Sequence, residues 1–157
     1  MKPVTIIIET PKGSAQKYDY DEELKCFKLN KILPAGMVFP FDFGFIPGTK
    51  GEDGDPLDII VISEIKTFTG CAMDCRIVGA IQAAQTERDG ESMRNDRYIG
   101  IPVESTMFKM ANTLADLPKN IIKELEGFFI NYNIAAGKKF KVLKRVNAKE
   151  AAKMLNS

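Results

Sequence analysis

Apolar and polar positions fall into short runs along most of the chain, and their period changes only near residue 118. Residues 4–9 (VTIIIE) are β-branched and apolar, which predicts a buried strand ending at the acid Glu9. Pro11, Gly13 and Ser14 mark a loop. Residues 17–20 and 24–29 predict a strand pair around an acidic turn at 21–23. Pro34, Gly36 and Pro40 interrupt the next segment. In FDFGFIPG, residues 41–48, Phe41, Phe43 and Phe45 alternate as on one face of a strand. Residues 50–58 (KGEDGDPLD) predict an acidic loop, and residues 59–63 (IIVIS) another buried strand. Further strands are expected at 75–82 and 97–103, with a polar loop between them.

From about residue 118 the spacing becomes helical. Ile121, Ile122, Leu125, Phe128, Phe129 and Tyr132 form one apolar stripe, Pro118 suits the first turn, and Gly137 lies beyond the end. Residues 139–146 alternate as a strand, and 148–155 predict a short final helix. Strands that mostly precede one long helix point to a β-barrel or sandwich with helices outside, rather than to alternating βαβ units. With no linker, repeat or low-complexity stretch, one domain over 1–157 is expected.

Composition narrows the chemistry. The 157 residues include no histidine, which removes imidazole acid–base catalysis, Ser-His-Asp and Cys-His catalysis and imidazole zinc sites. Lys and Arg number 22 against 21 Asp and Glu, a net charge of +1 that argues against a protein built to coat nucleic acid or an anionic membrane. The three cysteines, Cys26, Cys71 and Cys75, form no metal-binding pair and read as small buried or half-buried thiols. No apolar run approaches the roughly 20 residues that span a bilayer, so a cytoplasmic protein without membrane partners is expected.

The densest chemistry is the string Glu52, Asp53, Asp55 and Asp58, with no base among them. Like charges this close repel, increasingly so on burial, and a hard cation such as Mg²⁺, Mn²⁺ or Ca²⁺ relieves that repulsion. A solvated acidic turn remains open on charge alone. An EF-hand is excluded, because Leu57 and Asp58 occupy its fifth and sixth positions and the flanks are strand-like. Gly44, Gly48, Gly51 and Gly54 lack the spacing of a phosphate-binding glycine loop. Other polar residues stand at strand ends: Glu9, Lys17, Asp19, Lys31, Arg94–Arg97 and Tyr132. Carboxylates with Lys, Arg and Tyr suit metal-assisted phosphoryl transfer.

In order along the chain, E-x-P at 9–11, K-Y-D at 17–19, F-G-F-I-P at 43–47, E-D-G-D-P-L-D at 52–58, G-x-I-Q at 79–82, I-P at 101–102, L-A-D-L-P at 114–118 and F-F-x-x-Y at 128–132 resemble the soluble family I inorganic pyrophosphatases. The resemblance implies a five-stranded barrel of the oligonucleotide-binding type with one long and one short helix outside. It implies Mg²⁺-dependent hydrolysis of inorganic diphosphate, with Mn²⁺ or another divalent ion as possible substitutes. Asp53 and Asp58 would be metal ligands, Asp58 shared between two ions. Asp55 would deprotonate the water between them, and Glu9 would hold an outer metal. Lys17 and Tyr132 would contact phosphate. The family also implies a homo-oligomer, a hexamer being favoured over a dimer at this length.

The departures cluster around the substrate. Lys31 stands where the family has Arg, Phe39 and Phe43 where it has Tyr, Asp19 where it has Glu, and Asn133 where it has Lys. Counting back from Pro102 aligns Asn95 with a metal-binding Asp and Arg97 with a substrate-binding Lys; Asp96 is a neighbouring candidate carboxylate. The second loop ligand is Asp89, Glu87 or Glu91. Competing readings are a metal- or diphosphate-binding pseudoenzyme, a hydrolase of a related phosphoanhydride, and a nucleic-acid-binding barrel using Lys138, Lys139, Lys141, Lys144 and Arg145.

Overall fold

The computed structural model describes residues 2–157. Five strands close a ring: β1 (Val4–Thr10), β4 (Asp42–Ile46), β5 (Leu57–Val61), β8 (Arg97–Pro102) and β6 (Ala72–Thr86). The pairings run β1–β4, β4–β5, β5–β8, β8–β6 and back to β1, all antiparallel except β5–β8. β2 (Gln16–Asp21) and β3 (Cys26–Ile32) form a separate hairpin. β7 (Ser92–Arg94) and β9 (Lys139–Asn147) pair with the far half of β6. Helix α1 (Ile121–Ala135) and helix α2 (Ala148–Leu155) pack outside the ring. The expected five-stranded ring with one long and one short helix is therefore present.

Four of the five ring strands serve both apolar clusters, which explains runs such as IIVIS, and β1 serves one of them through Ile6 and Ile8. In β5, Ile59 and Val61 join Ile6, Ile8, Ile46, Ile77 and Tyr98, while Ile60 packs with Ile99, Ile101 and the α1 residues Ile122, Leu125 and Phe129. A bulge between Ile77 and Gly79 reverses the alternation within β6. Cys75 and Ile77 share a cluster with Ala80 after it, while Val78 shares the other with Ile81 and Ala83.

Several boundaries differ from the sequence reading. β6 spans 72–86 rather than 75–82, and β7 forms inside the segment read as a polar loop. Pro118 precedes α1 rather than opening it. Asn120 is the N-cap, in the left-handed region at φ 70°, and the Ile121 N–H reaches back to the Pro118 carbonyl at 3.2 Å. Cys75 is buried and Cys71 half-buried, but Cys26 is exposed. Among the described residues, no helix is long and apolar enough to cross a membrane.

Candidate active site

An open cleft of about 1000 Å³ lies between the β2–β3 hairpin, the acidic loop, the start of β8 and the end of α1. Glu9, at the end of β1, sits where a register shift between Ile8 and Thr10 bends the strand against β4. It is buried, and its Oε2 accepts the Tyr20 N–H at 3.0 Å. Burial pushes its carboxyl up to about 7, against the opposing pull of Lys17 and that N–H. On the hairpin, Lys17 and Lys31 are direct cross-strand partners. Lys17 pairs with Asp19, which also accepts from the Asn30 amide. The Lys31 ammonium stands 4.7 Å from the centre of the Tyr132 ring. Desolvation first, then Lys138 and Lys17, lowers the Lys31 amine from its ordinary value.

The acidic loop folds on itself. The Gly51 N–H donates to the Asp55 carbonyl at 2.7 Å, the Asp55 N–H donates to Asp53 Oδ1 at 3.0 Å, and Gly54 takes a φ of 87° that favours glycine. This fold brings Asp53, Asp55 and Asp58 together on the cleft. Burial raises the Asp55 carboxyl, with Asp53 adding to the effect. Burial also raises Asp58, against the pull of Arg97.

Arg97 begins β8 as the register partner of Asp58 on the parallel strand β5. Its Nη1 lies 2.8 Å from Asp58 Oδ2 and donates to Asn95 Oδ1 at 2.6 Å. Asn95 also reaches the cleft, and its amide donates to Gln85 Oε1. Two predicted acids point elsewhere. Asp96 accepts from the Ala83 N–H and pairs with Arg94 at 2.8 Å, lining a neighbouring depression rather than the cleft. Asp89 sits on an exposed turn and accepts the Glu91 N–H at 2.9 Å. Of the three loop alternatives only Glu87 lines the cleft, where Lys138 holds it at 2.9 Å and keeps its carboxyl below the usual range.

The cleft floor is aromatic. Phe39 packs against Phe43, Phe128 and Tyr132 at ring separations of 5.7, 5.1 and 5.6 Å. The Tyr132 hydroxyl is kept protonated by burial, its pKa standing well above the ordinary tyrosine value. Asn133 is buried and its amide donates to the Phe129 carbonyl at 2.8 Å, within its own helix.

Residues 6–157 match the inorganic pyrophosphatase family. The inorganic pyrophosphatase of Halalkalibacterium halodurans is 38% identical over 155 residues, covering 99% of this chain and 92% of that protein. The chain belongs to the inorganic pyrophosphatase family. The inorganic pyrophosphatase of Geobacillus stearothermophilus is 36% identical, again over 99% of this chain and 91% of its own length. The crystal structure of inorganic pyrophosphatase from Thermus thermophilus superposes with a TM-score of 0.89 at 32% identity, covering 99% of this chain and 88% of that one.

Within this pyrophosphatase fold the acid wall fits a divalent cation. Among the described residues, no three carboxylate or thiol side chains close into a ready-made cage. Yet Glu9, Asp19, Asp53, Asp55 and Asp58 line one cleft, where Lys17 pairs with Asp19 and Arg97 with Asp58. Hard oxygen donors carrying surplus negative charge, with three carboxyls raised by desolvation, match the needs of Mg²⁺ or Mn²⁺. Lys138 and Gln85 are among the cleft residues to which the sequence does not point. Lys138 was read as part of a basic strand. The signal was Gly137, which at φ 75° turns the chain before the strand begins. Gln85 lies on the extension of β6, which carries no apolar signal.

Proposed function

We propose that this pyrophosphatase-family protein hydrolyses inorganic diphosphate to two phosphates with Mg²⁺, Asp55 acting as the base. The observation that carries the reading is one cleft lined by both charges: Asp53, Asp55, Asp58 and Glu9 together with Lys31, Lys138 and Tyr132. Asp53 and Asp58 would hold metal, with Glu9 at its outer edge. Asn95 would contribute at most a neutral amide oxygen, and Asp89 and Asp96 lie outside the cleft. Bound metal supplies charge neutralisation and makes water acidic near neutral pH.

The protein's own groups do the remainder. Lys17, Lys31 and Tyr132 orient a tetra-anion, while Arg97 lines the same cleft and is paired with Asp58. The aromatic floor excludes water from the reacting centre and strengthens each charge contact. Asp55, on the exposed side of its loop, takes the proton from the attacking water. The related phosphoanhydride and pseudoenzyme readings are separated from this one by the same assay.

Three of the five bases proposed for a nucleic-acid strip are held by acids. Lys138 is on Glu87, Lys144 on Glu150 and Arg145 on Glu126. This supports diphosphate over a nucleic acid as the ligand.

The test is phosphate release from diphosphate with Mg²⁺, Mn²⁺ and Co²⁺, using Asp55→Asn as control. Release by wild type and its loss in the variant support the reading. Tight diphosphate binding without release marks a binding protein instead, and neither binding nor release removes diphosphate as the ligand.

A further inference from the structure

We propose that the Arg97 guanidinium is itself the inner cation of the acid wall: it occupies one oxygen of Asp58 and the side-chain oxygen of Asn95, and so excludes a divalent ion from that place. The inference rests on reading the cleft as a metal-dependent diphosphatase site.

The pairing is built into the backbone. Asp58 and Arg97 are register partners on adjacent parallel strands, so their side chains leave the sheet side by side. The guanidinium is then caged. Arg97 is 4% exposed, and its Cζ lies 4.9 Å from the ring centre of Phe129, 5.3 Å from Phe140 and 5.7 Å from Phe43. Each ring offers a π face to a cation, and guanidinium, more weakly hydrated than ammonium, tolerates this burial.

Its polar contacts are with Asp58 and with its own chain neighbours Asn95 and Asp96. Nη1 lies 2.8 Å from Asp58 Oδ2 and donates to Asn95 Oδ1 at 2.6 Å and to the Asn95 carbonyl at 3.0 Å. Nε is buried without a partner, so the group is held by this one edge and by the rings.

Asn95 completes the exclusion. Its oxygen is taken by Arg97 and its amide nitrogen donates to Gln85 Oε1 at 2.9 Å, so both ends of the side chain are used. It brings no negative charge. The inner group therefore sums to zero, with Asp58 negative, Arg97 positive and Asn95 neutral. A divalent ion arriving there would have to expel a cation from three aromatic rings and leave it without a counter-ion. Asp53, Asp55 and the other Asp58 oxygen stay available on the outer side.

The decisive measurement is Mn²⁺ binding to the full chain without substrate, followed by calorimetry and by electron paramagnetic resonance. Wild type is expected to show isolated Mn²⁺ at the aspartates, with no exchange-coupled pair. Arg97→Met, its fold checked by circular dichroism, is expected to take up one further Mn²⁺ per chain, or to bind Mn²⁺ at least tenfold more tightly. Arg97→Lys, which keeps the charge, is expected to retain the wild-type count.

A coupled Mn²⁺ pair in wild type overturns the proposal. So does a folded Arg97→Met protein with unchanged count and affinity, or a wild type that takes up no Mn²⁺. The wild-type spectrum decides the matter even if Arg97→Met does not fold. Isolated Mn²⁺ in wild type without phosphate release from diphosphate defeats the proposed function and leaves the role of Arg97 standing.

Discussion

The backbone N–H of Tyr20 donates to Glu9 Oε2 at 3.0 Å, which ties the β2–β3 hairpin to the acid wall through a carboxyl that burial raises to about 7. In the unfolded chain that carboxyl returns to its ordinary 4.5. Between these values the folded state binds more protons than the unfolded one, so stability falls as pH rises. Metal-free protein is expected to lose up to roughly 3 kcal/mol from this group between pH 4.5 and 7, the equivalent of the difference between the two values. Urea titrations across that range check it. Glu9→Gln should flatten the slope; an equally steep slope in the variant assigns the effect to another group.

Asp55 lies on the exposed face of its loop and makes its backbone contact through Asp53, so Asp55→Asn preserves the local fold. The expected result is a fall in kcat of about 10²–10⁴-fold, the usual worth of a positioned base, with KM changed little. Steady-state phosphate release measures both.

Lys31 faces Tyr132 at the cleft and is the cross-strand neighbour of Lys17. Losing a charged contact to phosphate costs about 1.5 kcal/mol or more, so Lys31→Gln should raise KM at least tenfold. Lys31→Arg should recover most of it. A kcat loss without a KM change counts against a binding role.

A Cβ on Gly44 would sit 2.1 Å from the Ile7 carbonyl oxygen, backbone against backbone. That contact is why the aromatic pair in F-G-F flanks a glycine. Gly44→Ala is expected to cost about 3 kcal/mol or more, because β1 must retreat from β4. Thermal melting of the variant tests this.

Glu64 accepts from the N–H groups of Thr106 and Met107 and from the Ser105 hydroxyl, and these bonds hold its carboxyl far below the usual range. Its stabilisation is therefore present above the unfolded carboxyl's ordinary value and is lost as pH falls toward the folded one. Glu64→Gln should lower the melting temperature at neutral pH and narrow the gap from wild type in acid.

The sequence showed the apolar strands and the aspartate loop clearly, because both follow simple rules. IIVIS is buried on two faces and VTIIIE on one, and the close-set acids of D-G-D-P-L-D point to a cation that relieves their repulsion. What stayed hidden depended on geometry across the chain. The bulge at Ile77–Gly79 shifts the alternation of β6, so its polar end, including Gln85, reads as loop. Asp96 and Asn95 are adjacent and differ by one heavy-atom type, yet backbone direction turns the carboxylate toward Arg94 and the amide toward Arg97. Asn133 resembles a weakened substrate contact in sequence, but it folds back on its own helix.

One seam of the ring forms where Val4 meets Cys75, the first strand pairing with one that leaves the ribosome far later. Until then Ile6 and Ile8, fully buried in the finished protein, sit in a β-prone apolar stretch paired along one edge alone, to β4. The loop closed by that pairing spans nearly half the chain, so its entropy must be met before the contact repays it. Closure therefore belongs late in folding, and the newborn N-terminus is the segment most in need of shielding by a chaperone during synthesis.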